Sequence, residues 1–372
     1  MSSQQSSSNL ENIPQQQKEE NIGQTEKQSE KQQEVKKDIS LKGIVGILNM
    51  GNTCYSNSTI QLLRASPEWN AYCVSTDFKE LFQDNFDNNH KKVLYEYQDI
   101  LKALWSAYKP AYIRPMKFIS EIRKIVKGTI YESFGIPIPN DSHEYLIYLL
   151  DNFHEALNKK SDYIPIQSES KNMTLMAQNG WNEFQSKNNS PIVDIFFGMM
   201  RKTVECGNCK NNSYKWEVFN SLKVPCEGET FMDWIRNECK KGEIEGYLCE
   251  KCNTKSTATI YTHLWKLPSN LFVTLRRFNF DGRKNMTPCP YKGEVLKLKE
   301  FFAEESDDLS KEWSFELRGV SDHHGSHLGG HYTAQFKHPI SNEWWWIDDE
   351  RCDKIDTPRL NTSNYIFLFR KL

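Results

Sequence analysis

Cys54 stands in "NMGNTCYSNSTIQLL" (49–63), between a Gly-Asn turn and an apolar run of helical texture. If a helix begins at Thr53 or Cys54, its unpaired amides and positive dipole end favour a thiolate there. Gly51 and Asn52 tolerate left-handed backbone, so the chain can turn sharply just before the sulfur. Asn49 lies on the far side of that turn, where its side-chain amide can donate to an oxyanion forming beside the cysteine. A plainer reading is also open, in which Cys54 packs like an alanine and Asn52 caps the helix.

A nucleophilic thiol needs a base, and among nine histidines His331 is the one set on a rigid frame. It follows Gly329-Gly330 and opens the run "HYTAQFKH"; after the turn "PISN" (339–342) comes "EWWWIDDE". These two runs read as an antiparallel hairpin. With the turn centred near residue 340 or 341, His331 falls across from residues 349–351, which sets Asp348 and Asp349 beside the imidazole. A carboxylate there holds the ring tautomer and stabilises the imidazolium. Trp344, Trp345 and Trp346 argue against a wholly solvated hairpin. The preceding "SDHHGSHLGG" has glycines for close backbone approach or for a loop that admits a substrate. Cys54 and this hairpin together predict a cysteine hydrolase.

"ECGNCK" and "LCEKCN" place Cys206 with Cys209 and Cys249 with Cys252. Two Cys-x-x-Cys pairs supply the four thiolates of a tetrahedral zinc site, and with four protein ligands the metal is structural. The long gap between the pairs is read as a β-hairpin separating the knuckles. Cys73, Cys226, Cys239, Cys289 and Cys352 show no such spacing and receive no role. Asp141 and Glu144 in "NDSHEYLIYLL" form a capping-box arrangement, which is sufficient reason for both acids. Two carboxylates near a helix start can equally grip a basic peptide, and the spacing leaves both readings open.

The elements that must hold these groups fall into two textures. Apolar residues recur at helical intervals in "YEYQDILKALWSAY" (95–108) and "SHEYLIYLLDNFHEAL" (142–157), whereas 159–180 reads as a polar connection. From about 192 the runs are short and β-like, among them "SYKWEVFNSLKV", "LFVTLRRFNF" and "YIFLF". Helices first and strands later imply an α+β fold. Residues 1–40, rich in Gln, Ser, Glu and Lys, are expected to form a disordered tail, with order beginning near Leu41. The chain has 372 residues, 38% hydrophobic content and a net charge of −2, which suits a globular protein and gives no footprint for nucleic acid. No apolar run approaches the roughly 18 residues of a membrane span, and the opening stretch has no signal-peptide core. Ten cysteines in such a chain point to metal and catalysis before disulfides. The sequons at Asn57 and Asn172 are read as chance.

Four blocks in order, "GILNMGNTCYSNSTIQLL", "NDSHEYLIYLLDNFHEAL", the paired Cys-x-x-Cys and "GGHYTAQF" with "WWWIDDE", resemble the ubiquitin-specific protease family of deubiquitinating enzymes. "LPSNLFVTLRRFNF" and the closing "YIFLFRKL" are similar to further family blocks, so the likeness covers residues 43–372. The resemblance implies a papain-like cysteine protease fold with fingers, palm and thumb. The catalytic domain would span 41–372, with thumb at about 41–190, zinc-ribbon-like fingers at about 200–265 and palm at about 266–372. It implies hydrolysis of the isopeptide or peptide bond after the C-terminal Gly-Gly of ubiquitin. By position, Cys54 would be the nucleophile, His331 the base, Asp348 its orienting acid and Asn49 the oxyanion donor, assisted by Asp349. Asp141 and Glu144 would contact the basic ubiquitin tail, and Tyr332 would narrow the channel for its two glycines. Zinc on Cys206, Cys209, Cys249 and Cys252, a monomeric intracellular enzyme of cytoplasm or nucleus, and ubiquitin and ubiquitinated proteins as partners complete the expectation. Pro139-Asn140-Asp141 departs from the Gln-Gln-Asp common in the family. The rival expectations are a non-catalytic ubiquitin-binding scaffold and a protease for another ubiquitin-like modifier.

Overall fold

The computed structural model describes residues 43–106, 108, 110–159, 172–279, 281–326 and 329–372, so the tail expected over 1–40 lies outside the described residues. The N-terminal part is helical. Cys54–Leu63 is buried along all of its residues, between the helix Ser142–Leu157 and the strand Gly329–Lys337. Asn89–Leu104 and Ser142–Leu157 pack their apolar stripes against each other, and Ser142–Leu157 also lies against the first helix. Each begins at a side-chain cap that satisfies first-turn amides: Asn88 accepts from His90 and Lys91, and Asp141 accepts from His143 and Glu144. Trp69, Tyr97 and Phe153 fill the space between these helices, with ring centroids 4.7 Å apart for Tyr97 and Phe153 and 5.7 Å for Trp69 and Phe153. The second half of the stretch read as a polar connection is instead the helix Met173–Lys187, capped by Asn172. Its apolar anchors Met173, Ala177, Trp181 and Phe184 fall at helical spacing and pack with Met199 and Trp265, but the polar residues between them mask that pattern.

Two short strands, β1 (Gly46–Ile47) and β2 (Tyr112–Ile113), pair in parallel near the start of the first helix. From residue 198 strands dominate: β3 (Gly198–Cys206), β4 (Asn212–Phe219), β5 (Ser221–Pro225), β6 (Gly242–Leu248) and β7 (Lys255–Lys266). After them come β8 (Asn270–Arg276), β9 (Leu296–Lys297), β10 (Ser314–Ser326), β11 (Gly329–Lys337), β12 (Trp344–Asp348), β13 (Arg351–Ile355) and β14 (Asn364–Lys371). They form a smaller sheet, β4-β3-β7-β6, and a larger one, β13-β12-β11-β10-β14-β8-β5, with β9 added against β10. The gap between the two cysteine pairs is therefore not a plain hairpin. The chain leaves the smaller sheet so that Leu222 and Val224 of β5 can pair in parallel with β8, and the helix Phe231–Glu238 covers that end.

The larger sheet is apolar on both faces, which explains why its central strand reads as a continuous run instead of an alternation. Ile366 and Leu368 of β14 face the helical half, while Phe367 and Phe369 pack with Phe231 and Trp234 on the other side. β10, β11 and β12 run as an antiparallel meander, with Ala334 opposite Ile347 and Lys337 opposite Trp344. Continued past the ladder, this register sets His331 against Glu350, inside the window that the turn position alone gives.

One close approach ties the helical half to that meander. Ile47 N donates to Asp349 O at 2.8 Å. A Cβ added at Gly46 would lie 2.4 Å from the Asp349 carbonyl oxygen and 2.3 Å from that of Glu350. Only glycine fits there, because neither backbone oxygen can rotate away. We expect Gly46→Ala to cost about 1–3 kcal/mol of stability and to lower activity together with it; chemical denaturation and turnover measured on the same variant check both.

Candidate active site

The chain reaches Cys54 through a tight turn in which Gly51 and Asn52 both adopt positive φ, 95° and 55°. Asn49 organises the turn from within. Its Oδ1 accepts from Gly51 N at 3.0 Å and from Thr53 N at 3.1 Å, and its Nδ2 donates to Asp349 Oδ2 at 2.9 Å. Thr53 makes no side-chain cap on the helix it precedes, so the first-turn amides around Cys54 remain available to a ligand. An anion at that end is favoured by these amides and by the helix dipole together.

His331 Nε2 meets Asp348 Oδ1 at 2.5 Å. Its hydrogen bond with Cys54 is the largest influence raising the imidazole to about 9; burial opposes the rise, and Asp348 adds to it. With Nε2 given to Asp348, Nδ1 is the nitrogen left for the sulfur. The ring thus sits between thiol and carboxylate, in the order nucleophilic acyl transfer requires. Asp349 differs from Asp348. Its φ is 48°, its carboxylate accepts from both Asn49 and Asn57, and its Oδ2 lies 3.9 Å from His331 Nε2. Burial raises its carboxyl, and the two amides work against that rise.

The thiol opens into a cleft of about 450 Å³ whose lining includes Asn52, Asn140, Asp141, Glu144, Tyr332 and Tyr365. Tyr332 lies 4.7 Å from His323 by ring centroids, and Phe278 lies 5.4 Å from Tyr365, so aromatic rings wall the passage. Gly329 and Gly330 form its edge, and a Cβ at Gly330 would strike the His324 carbonyl oxygen at 2.2 Å. Asp141 spends one oxygen on the helix cap and the other on Tyr365 Oη at 2.8 Å, whereas Glu144 is exposed. The capping reading therefore holds for Asp141, and Glu144 is the acid free to face a basic ligand. Cys54, His331, Asp348, Asn49 and Asp349 come together at one end of this cleft, and Asp141, Glu144 and Tyr332 line it. The sequence reading missed Tyr365, Phe278 and Asn57. Asn57 is buried, with both amide hydrogens given to Ile47 O at 3.0 Å and Asp349 Oδ1 at 2.7 Å, so its sequon is structural. The available signal was a polar residue one turn into a helix that is buried on every side.

Cys206, Cys209, Cys249 and Cys252 bring their sulfurs within 4.8 Å of one another at the end of the smaller sheet, and together they can hold a metal ion. The Cys206–Cys252 and Cys209–Cys249 separations are 3.9 and 3.7 Å. A tetrahedron with metal–sulfur bonds near 2.3 Å has edges of about 3.8 Å. The two turns are alike: Lys210 and Asn253, each following the second cysteine of its pair, have φ of 59° and 52°. None of the ten cysteines is in a disulfide, and burial pushes Cys73, Cys226, Cys239 and Cys289 up, away from reactivity.

An uncapped helix start carrying a thiol, faced by a carboxylate-bound imidazole on an adjoining sheet, marks the architecture of a papain-like cysteine hydrolase. Residues 45–369 match the ubiquitin carboxyl-terminal hydrolase family, and the chain belongs to that family. Usp2 of Drosophila melanogaster is 27% identical over 349 residues, covering 90% of this chain and 35% of the relative. Human ubiquitin carboxyl-terminal hydrolase 2 is 24% identical over 355 residues, covering 90% and 56%. The chain thus spans from about a third to just over half the length of these two relatives. Among solved structures it is similar to the SAGA DUB module Ubp8/Sgf11/Sus1/Sgf73 bound to monoubiquitin. The TM-score is 0.71 at 20% identity, over 90% of this chain and 70% of that one. The same module bound to ubiquitin aldehyde gives 0.69 at 19% identity, with the same coverage. The α+β fold is that of fingers, palm and thumb, with the four-cysteine cluster at the fingers' tip.

The His331 environment has a direct readout. Its imidazole should titrate near 9, well above the ordinary value of about 6.5, when followed by NMR. Cys54→Ala should bring the midpoint down further than Asp348→Asn, because the bond to sulfur is the larger influence.

Proposed function

We propose that the protein is a thiol-dependent deubiquitinating enzyme that hydrolyses the bond after the C-terminal Gly-Gly of ubiquitin. The observation that carries this reading is the His331 ring held between Cys54 and Asp348 at the mouth of a walled cleft. The family and the ubiquitin named in the related structures supply the substrate class. A tail ending in two glycines suits a passage narrowed by Tyr332 and Tyr365, since a residue without a side chain passes where others would not. The exposed Glu144, with Asp141 behind it, suits a basic segment preceding those glycines.

In the mechanism Cys54 attacks as thiolate, with its proton held on His331. The sulfur adds to the carbonyl carbon of the last glycine, and the electron pair moves to oxygen. First-turn amides and the Asn49 hydrogen not engaged by Asp349 receive that oxyanion. Imidazolium His331 gives its proton to the leaving lysine amine as the C–N bond breaks, which leaves a thioester. His331 then takes a proton from water and the hydroxide adds; collapse expels Cys54 as thiolate, restoring the thiolate–imidazolium pair, and the released carboxylic acid gives its proton to solvent. Asp348 keeps the ring oriented and its positive charge stabilised throughout.

For the chain as a whole we propose a thumb at about 41–190, fingers at about 200–265 and a palm at about 266–372, with the 221–238 excursion joined to the palm sheet. Zinc on the four fingers-tip cysteines would be structural, since four thiolates close the coordination sphere and fasten β3 to the β6–β7 turn. Free thiols throughout the chain support an intracellular protein, of cytoplasm or nucleus.

Cys54→Ala should reduce hydrolysis of ubiquitin C-terminal aminomethylcoumarin at least about 10⁴-fold while ubiquitin still binds. Undiminished hydrolysis by that variant would remove the assignment. A wild type that binds ubiquitin without cleaving it would favour a scaffold, and one that cleaves only another modifier would redirect the substrate. Elemental analysis should find one zinc per chain in the wild type and none after Cys206→Ser with Cys209→Ser; a folded native protein free of metal would refute the zinc site.

A further inference from the structure

We infer that Asn57 is a positioning residue of the catalytic centre, whose amide fixes the Asp349 carboxylate so that this carboxylate in turn fixes the Asn49 amide ahead of Cys54. The inference rests on the cysteine-hydrolase reading and adds to it a residue that never meets the substrate.

The contacts form a closed ring. Asn57 Nδ2 reaches Asp349 Oδ1 at 2.7 Å and Ile47 O at 3.0 Å, and Asp349 Oδ2 accepts from Asn49 Nδ2 at 2.9 Å. Ile47 N returns to Asp349 O at 2.8 Å. Asn49 Oδ1 is meanwhile occupied by the amides of Gly51 and Thr53. A side-chain amide has two hydrogens. Asn57 spends both on this ring, whereas Asn49 spends one and retains one for an oxyanion.

Packing alone does not account for an amide at this position. The Asn57 backbone N–H already bonds Thr53 O at 2.9 Å within the helix. Its Oδ1 is buried and has no hydrogen-bond partner. An apolar residue of similar size would avoid that desolvation cost, so the amide is explained by what its hydrogens hold. They hold a carboxylate that sits immediately after Asp348 and 3.9 Å from the His331 ring. An Asp349 released from Asn57 would no longer hold the Asn49 amide in place.

The charged and titratable groups facing Asp349 are His331 on β11 and Asp348 on β12; the nucleophile's turn and helix contribute the two neutral amides. Removing the Asn57 donor leaves the anion less stabilised, so its carboxyl should titrate at higher pH and the acid limb of turnover should follow.

The test uses the full chain with Asn57→Ala and the near-isosteric Asn57→Asp, which removes the donor at nearly constant shape should the alanine variant fail to fold. With ¹³C-carboxyl-labelled aspartate, the Asp349 signal should titrate about one pH unit or more higher in either variant. With ubiquitin aminomethylcoumarin, kcat should fall about 10²-fold with KM changed less than about twofold. Alkylation of Cys54 by iodoacetamide should keep its rate within about twofold, since the Cys54–His331 pair is untouched. In an Asp349→Ala background, Asn57→Ala should cost nothing further. An unmoved Asp349 titration overturns the inference, as does equal loss of alkylation and hydrolysis, which would make Asn57 merely structural. A wild type that does not act on ubiquitin overturns the proposed substrate instead, and the carboxyl titration then still decides the role of Asn57.

Discussion

The catalytic centre is organised around one half-buried carboxylate at the seam between the helical half and the larger sheet. Asp349 receives Asn49 and Asn57 from the nucleophile's side, 300 and 292 residues away in sequence, while its neighbour Asp348 holds the base. A buried carboxylate is costly unless hydrogen-bonded, and these two amides meet that requirement only when the two halves are docked. The same contacts that hold the two halves together also bring thiol and imidazole into register.

The rest of the structure can be understood as support for that seam. The helix bearing Cys54 is buried on every side, which fixes its start to the accuracy that bond formation needs. Gly46 lets β1 lie directly on the 349–350 backbone, and Gly330 does the same for the turn before His331. The larger sheet is packed on both faces at β8 and β14, and the strands carrying His331 and Asp348 rest on the helical half through Tyr332, Phe336 and Ile347. The four clustered cysteines, by contrast, lie at the tip of the smaller sheet, where apolar packing is sparse and a bound metal would fix the turns.

What could be read in the sequence was local. The His331–Asp348 pairing follows from the position of one turn and the two-residue period of strands, and the observed register agrees with it. The cysteine pairs are short-range motifs, and 142–157 carries enough apolar periodicity to define its helix. Asn57 was hidden because its partner is reached only through tertiary docking. Met173–Lys187 was hidden because its apolar anchors, although helically spaced, are thinly set among polar residues. The excursion of β5 into the larger sheet was invisible because a parallel pairing with β8 leaves no local turn signature.

The most direct measurement is intact-mass spectrometry of wild type and Cys54→Ala after incubation with ubiquitin bearing a C-terminal propargylamide. Cys54 as the nucleophile requires a one-to-one adduct on the wild type and none on the variant. An adduct that persists on Cys54→Ala, or none on folded, metal-loaded wild type, would contradict it.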